Sequence, residues 1–234
     1  MGKVADVKVV LLHALPLDER MWEPQLEALS GYEVTTPRLY DLGSTMDEWA
    51  GAVLRQVDGP FAAIGASMGG YCALAIARRA PERVLALGLV GSRPEADPPD
   101  RRPLRDRWLR RISDEGAAGL WEEMGPSVFA TLDAEQRARV ERLALEQSPE
   151  GLRRAVTAIR DRLGASDVVR ELSGPLLVAV GENDPLVSVD DARVVADAAS
   201  RSRLAVFEGA GHLPSLECPE DFNECLLAFL ESVD

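Results

Sequence analysis

Histidine is the scarcest informative residue in this chain of 234 residues: there are two, beside three cysteines and an aromatic content of only 5%. Cys72, Cys218 and Cys225 are an odd number at spacings unlike a zinc ribbon or a redox pair. That argues against a disulfide framework and leaves reduced core or surface thiols, as expected of a cytoplasmic protein. The same five residues lack metal-site spacing, so neither a metal nor another cofactor is expected. Positive charge is also short. The net charge of −13 denies nucleic acid and anionic membrane surfaces the basic face that either requires. No apolar run approaches the roughly 18 residues of a membrane span, and the opening residues Met1 to Lys8 are mixed and charged, unlike a secretory leader. The length suits one large domain or a domain with an inserted piece, expected as a monomer or homodimer.

The apolar residues fall into short continuous runs. Val7 to Leu12, Tyr32 to Thr36, Phe61 to Ile64, Val84 to Val90, Leu176 to Val180 and Leu204 to Phe207 each read as a strand, with helical patterns between them. Runs that do not alternate with polar residues mark strands covered on both faces, so the alternation implies an α/β fold with a parallel sheet. Early helices are expected over about Arg20 to Ser30, stopped by Gly31, and over Asp47 to Asp58, with Trp49, Val53 and Val57 on one face.

Between Ser92 and Leu172 the strand pattern disappears. This block holds 15 Arg against 16 Asp and Glu, whereas the other 153 residues carry a balance of −12. Helices are expected at roughly 100–112, 115–124, 133–147 and 149–163. In the last, Leu152, Ala155, Val156, Ile159 and Leu163 recur at helical spacing, and the arginines between them read as a solvated face. No repeat or flexible linker isolates the block. It is expected as a helical cap, residues 92–172, inserted after the fourth strand into a core of 1–91 and 173–234.

One stretch carries chemistry. Gly65-Ala66-Ser67-Met68-Gly69 follows an apolar run and precedes a helical pattern, Tyr71, Leu74, Ala75 and Arg78. A G-x-S-x-G turn between strand and helix lifts its serine clear of the sheet, and the glycines are required because the turn leaves no room for side chains. The N–H of Met68 would then point at an oxyanion formed by attack. A serine hydroxyl needs a base and an acid to orient that base. His212, in the glycine-rich loop after the sixth strand, and Asp184, just after the fifth, stand at the sheet edge that carries Ser67. Each residue also has an ordinary reading: Asp184 as a turn residue before Pro185, and His13, which could be base or scaffold, as a residue that bonds backbone on the opposite side of the nucleophile. Trp108, Trp121, Met124 and Phe129 are candidates for a substrate pocket under the cap, or else simply its core. Cys72 reads as buried helix packing.

These motifs, with Leu11-Leu12-His13-Ala14-Leu15-Pro16-Leu17 and Met21-Trp22, make the chain similar to the α/β-hydrolase-fold serine hydrolases, most of all to capped esterase and lactonase members resembling the 3-oxoadipate enol-lactonase-like and perhydrolase-like groups. The resemblance implies Ser67 as nucleophile, His212 as base, Asp184 as its orienting acid, the N–H groups of Leu15 and Met68 as oxyanion hole, and His13 as holder of the oxyanion loop. It implies six strands in the order 2-1-3-4-5-6, without the family's opening antiparallel hairpin. Two departures stand out: Ala14 where glycine is common, and Arg38 opening a loop that often holds an aspartate. The expected activity is hydrolysis of a small ester or lactone through an acyl-enzyme. Cleavage of a C–C bond in a diketone on the same residues, or a low-turnover ligand receptor that keeps them, are the alternatives.

Overall fold

Six apolar runs become six parallel strands in the computed structural model, which describes residues 7–233. Residues 1–6, most of the opening segment read above as unlike a leader, lie outside that range. The strands are β1 (Lys8–Leu12), β2 (Glu33–Thr35), β3 (Phe61–Ala66), β4 (Val84–Val90), β5 (Leu176–Gly181) and β6 (Ser202–Phe207). Their order across the sheet is β2-β1-β3-β4-β5-β6, and every pairing is parallel. β3 and β5 are buried along their whole length, which explains their unbroken apolar character, while β6 at the edge leaves most of its residues partly open. The order reverses at β1, which has β2 on one side and β3 on the other. A crevice at the strand ends opens there.

The helices are α1 (Glu23–Leu26), α2 (Met46–Gln56), α3 (Met68–Arg79), α4 (Arg102–Val128), α5 (Ala134–Leu145), α6 (Pro149–Arg160), α7 (Ser166–Glu171), α8 (Val189–Ala198), α9 (Pro214–Glu217) and α10 (Pro219–Leu230). Local chemistry sets their starts. Thr45 caps α2 by accepting from the Glu48 N–H at 3.1 Å, and Asp133 and Gln136 close a reciprocal capping box on α5. α3 packs across β1, β3 and β4, and α8 against β5 and β6. Among the described residues no helix is long and apolar enough to cross a membrane.

Three expectations change. The helix expected over Arg20 to Ser30 is a 3₁₀ turn, Glu19–Trp22, followed by the single turn of α1; Pro24 has no N–H with which to continue a ladder from the preceding turn. The two helices expected before residue 125 form one element, α4, kinked at Gly116, whose φ of 67° and ψ of −146° lie outside the helical region. The stripe of α6 buries Leu152, Ala155, Val156 and Ile159, but the helix stops at Arg160 and leaves Leu163 77% exposed.

Candidate active site

Ser67 stands between β3 and α3 with φ 49° and ψ −112°, the one non-glycine residue at positive φ among those described. Such a backbone costs roughly 1–3 kcal/mol and persists only where its surroundings impose it. They do so here. A Cβ on Gly65 would meet the backbone of Gly69, and one on Gly69 would meet the Leu12 carbonyl, so both positions demand glycine. The Ser67 N–H donates to Val90 O at 2.8 Å, and its carbonyl accepts from the Gly70 N–H at 3.0 Å and from the Ser92 hydroxyl at 2.9 Å. Ser92 is buried and was not singled out in the sequence, where nothing marks a serine 25 positions away as the fastener of the elbow.

His212 and Asp184 meet across the ends of β6 and β5. The His212 Nδ1–H donates to both carboxylate oxygens of Asp184, each at 2.9 Å. Asp184 Oδ1 also accepts from the N–H groups of Leu186 at 2.8 Å and Val187 at 3.2 Å, which aims the carboxylate. With its proton on Nδ1 the ring presents a lone pair at Nε2, and that atom is buried without a hydrogen-bond partner. Glu217 holds the loop on both sides of the ring, accepting from the Gly211 N–H at 2.6 Å and from the Leu213 N–H at 2.8 Å. It also accepts from the Thr131 hydroxyl, a link from the turn between α4 and α5 to the His212 loop that no sequence signal announced.

His13 lies at the end of β1. Its Nδ1–H donates to Ala14 O at 3.2 Å, and its Nε2 accepts from the Leu39 N–H at 2.9 Å. Both nitrogens are therefore committed to backbone in one neutral tautomer. Burial lowers its pKa from 6.5 to about 4. The departures noted in the sequence are absorbed locally: Ala14 is buried with its N–H on Met21 Sδ at 3.2 Å, and Arg38 binds Gln147 at 2.8 Å and approaches Asp18 at 3.5 Å. Cys72 is fully buried in α3, and burial raises its thiol well above the ordinary value.

Ser67, His212 and Leu15 share a cavity of about 190 Å³ with the helices between β4 and β5. Trp108 and Met124 line it. Trp121 and Phe129 do not; their rings stack on each other at 5.5 Å with 19° between planes, and Gly125 lies against the Trp121 indole, where a Cβ would intrude. The expected pocket is corrected accordingly, because these two rings satisfy each other inside the helical block. A larger cavity of about 430 Å³ lies between α2, α3 and the end of α6. It shares Tyr71 and Arg162 with the smaller one but reaches neither Ser67 nor His212. The reading of the arginines within the Leu152 to Leu163 stripe as solvated also needs correction at Arg162, which is buried at the smaller cavity, as is Arg105. Among the described residues no cluster of three or more His, Cys, Asp or Glu is disposed to hold a metal.

Comparison with known proteins bears on the family and the fold. A family model described as the alpha/beta hydrolase family matches residues 9–224. The chain is 30% identical to a pimeloyl-[acyl-carrier protein] methyl ester esterase of Aromatoleum aromaticum, over 91% of this chain and 94% of that protein. It resembles the structure of a thermophilic esterase from Thermogutta terrifontis with malate bound, at a TM-score of 0.91 and 29% identity, over 97% of this chain and 90% of that one. An enol-lactonase from Burkholderia xenovorans shares the fold at a TM-score of 0.85 and 22% identity, over 99% and 94% of the two chains.

Proposed function

This chain belongs to the alpha/beta hydrolase family, and from that premise we propose that it hydrolyses a small carboxylic ester or lactone through an acyl-enzyme formed on Ser67. The observation that carries the reading is that a strained Ser67 shares one cavity with His212, whose Nδ1 is tied to Asp184 while its buried Nε2 is unclaimed. The relative's name specifies a methyl ester, which favours ester over diketone chemistry.

In the first half-reaction Ser67 Oγ attacks the carbonyl carbon as its proton passes to His212 Nε2. The carbonyl π pair moves onto oxygen, and the N–H groups of Leu15 and Met68 receive that oxyanion, aided by the positive end of the twelve-residue α3. Collapse breaks the bond to the alkoxy oxygen, which takes the proton from His212 and leaves as an alcohol; in a lactone it stays attached. Water then repeats the sequence: it gives a proton to His212 and its oxygen to the acyl carbon, and Ser67 recovers its proton as the acid departs. Asp184 keeps the imidazole in the required tautomer and stabilises its charged form. No cofactor enters these steps.

Residues 92–172 act as a cap over a core of 1–91 and 173–234, with Trp108 and Met124 contacting the substrate. Three free thiols suit a reducing cytoplasm, and a monomer or homodimer suffices because every group named comes from one chain. A fluorophosphonate probe should label Ser67 alone, and Ser67→Ala should abolish turnover of a p-nitrophenyl ester. Labelling of another serine, or full turnover by the variant, removes the reading.

A further inference from the structure

The wall of the smaller cavity carries charge opposite in sign to the rest of the molecule. In a chain of net charge −13, that wall includes Arg93, Arg101, Arg105 and Arg162 against only Asp97 and Glu123. Glu123 is engaged elsewhere, accepting from Arg107 Nε at 2.7 Å, and Arg93 lies 3.9 Å from Asp191. Asp97 is shared. Arg105 donates to it from Nε at 3.0 Å and Nη2 at 2.9 Å, and Arg162 from Nη1 at 2.8 Å, with all three side chains less than a tenth exposed. Burial pushes the Asp97 carboxyl up, but the bonds from both guanidiniums more than offset this and hold it below the ordinary carboxylate value, so it stays ionised. One carboxylate between two buried guanidinium ions leaves a net positive charge away from water.

Two further groups point to the same need. The Arg101 guanidinium makes no hydrogen bond or ion pair among the described residues, although it lines the cavity half-buried. Trp108 lies beneath the Arg105 guanidinium, 4.6 Å from ring centroid to Cζ, and its indole N–H is buried without an acceptor. Trp108 is itself only 7% exposed. A buried donor without an acceptor is costly unless a ligand supplies one. The missing partner is thus a compact anion that accepts hydrogen bonds in several directions, and a carboxylate fits planar guanidinium donors best.

Resting on the hydrolase reading above, we propose that the preferred substrate is a half-ester of a dicarboxylic acid, whose free carboxylate binds Arg101, Arg105 and the Trp108 N–H while Ser67 attacks the other carbonyl. Charge-assisted bonds to buried donors discriminate strongly against a neutral isostere, because that isostere leaves the donors unmet. The cap arginines then set specificity rather than only solubility.

The test compares kcat/KM for mono-p-nitrophenyl esters of four- to seven-carbon dicarboxylic acids with esters of the same length ending in a carboxamide. The wild-type enzyme should favour the best-fitting carboxylate by about 10- to 100-fold, chiefly through KM. Arg101→Gln and Trp108→Phe should each lower that ratio several-fold; the second keeps a ring beneath Arg105 and removes only the N–H. Thermal melts establish that both variants are folded. A wild-type ratio at or below one, or a ratio that neither folded variant changes, overturns the proposal. Turnover of both ester types at equal rates sinks this inference alone, whereas no turnover of any ester, with Ser67 unlabelled by the fluorophosphonate, sinks the hydrolase reading beneath it.

Discussion

The loops after β1 and after β6 each carry a histidine that is almost wholly buried, His13 at 0% and His212 at 2% exposure, yet they are built for opposite ends. At His13 two backbone groups claim both nitrogens, and burial drives the pKa down to about 4, so the ring is held neutral. At His212 a carboxylate claims one nitrogen and nothing claims the other. Burial therefore does not make a base. What separates a reactive imidazole from a structural one is an unclaimed lone pair beside an acid that can stabilise the protonated ring. The sheet order puts the two loops on opposite sides of β3, so Ser67, the proposed nucleophile, sits between a histidine held to its own loop by backbone and the histidine proposed to take its proton.

The contrast predicts the largest effect at His212. His212→Ala removes proton acceptor and donor from every step, so kcat should fall by about 10⁴-fold or more, towards what the oxyanion donors alone supply. Steady-state kinetics on an aryl ester measure it, and a loss of under 100-fold would mean that another group carries the proton.

His13→Ala should cost less, about 10- to 100-fold in kcat, because it leaves the Leu39 N–H unmet and loosens the loop that bears Leu15. The same residue governs acid stability. Its folded pKa lies below the unfolded value of 6.5, so between those two values the unfolded chain binds the proton and the folded chain does not. The stabilisation is fully present above about pH 6.5 and is lost as pH falls towards 4, a total of about 3 kcal/mol. Urea unfolding of wild type from pH 7 to 4.5 should show that slope, and His13→Ala should flatten it. An unchanged slope in the variant would place the acid lability elsewhere.

Much of this architecture is legible without coordinates. A strand run, a turn that admits only glycine, and a helix pattern are neighbours in sequence, so the elbow of β3 and α3 announces itself; Asp184 and His212 follow because each comes directly after a strand. The pocket is a different matter. On a straight helix Trp108 and Met124 would point about 160° apart, and only the kink at Gly116 lets both reach one cavity. A single residue at positive φ resets the helical phase, and hydrophobic periodicity cannot report it. The Arg105, Asp97 and Arg162 cluster is hidden for another reason. Its members are brought together from residues 65 positions apart by the packing of α4 and α6, and in an arginine-rich block the buried cations look like the exposed ones.

The smallest effect tests how the reactive histidine is held. Glu217 does for the His212 loop what the Leu39 and Ala14 backbone does for His13: its two oxygens accept from N–H groups on either side of the ring. Glu217→Gln preserves shape but replaces one acceptor oxygen with an NH₂ group, so one of those N–H groups must face a donor instead. A lost bond of that kind is worth roughly 1–1.5 kcal/mol, and its consequence is a displaced imidazole rather than a missing one. kcat should therefore fall roughly 5- to 10-fold with KM little changed, and the rate of fluorophosphonate labelling at Ser67 should fall in parallel, since both need Nε2 in position. If labelling slows while the melting temperature holds, Glu217 acts through His212. If instead the melting temperature drops and the labelling rate of the folded fraction is that of wild type, the clamp supports only the loop's stability, and Asp184 alone is enough to aim the ring.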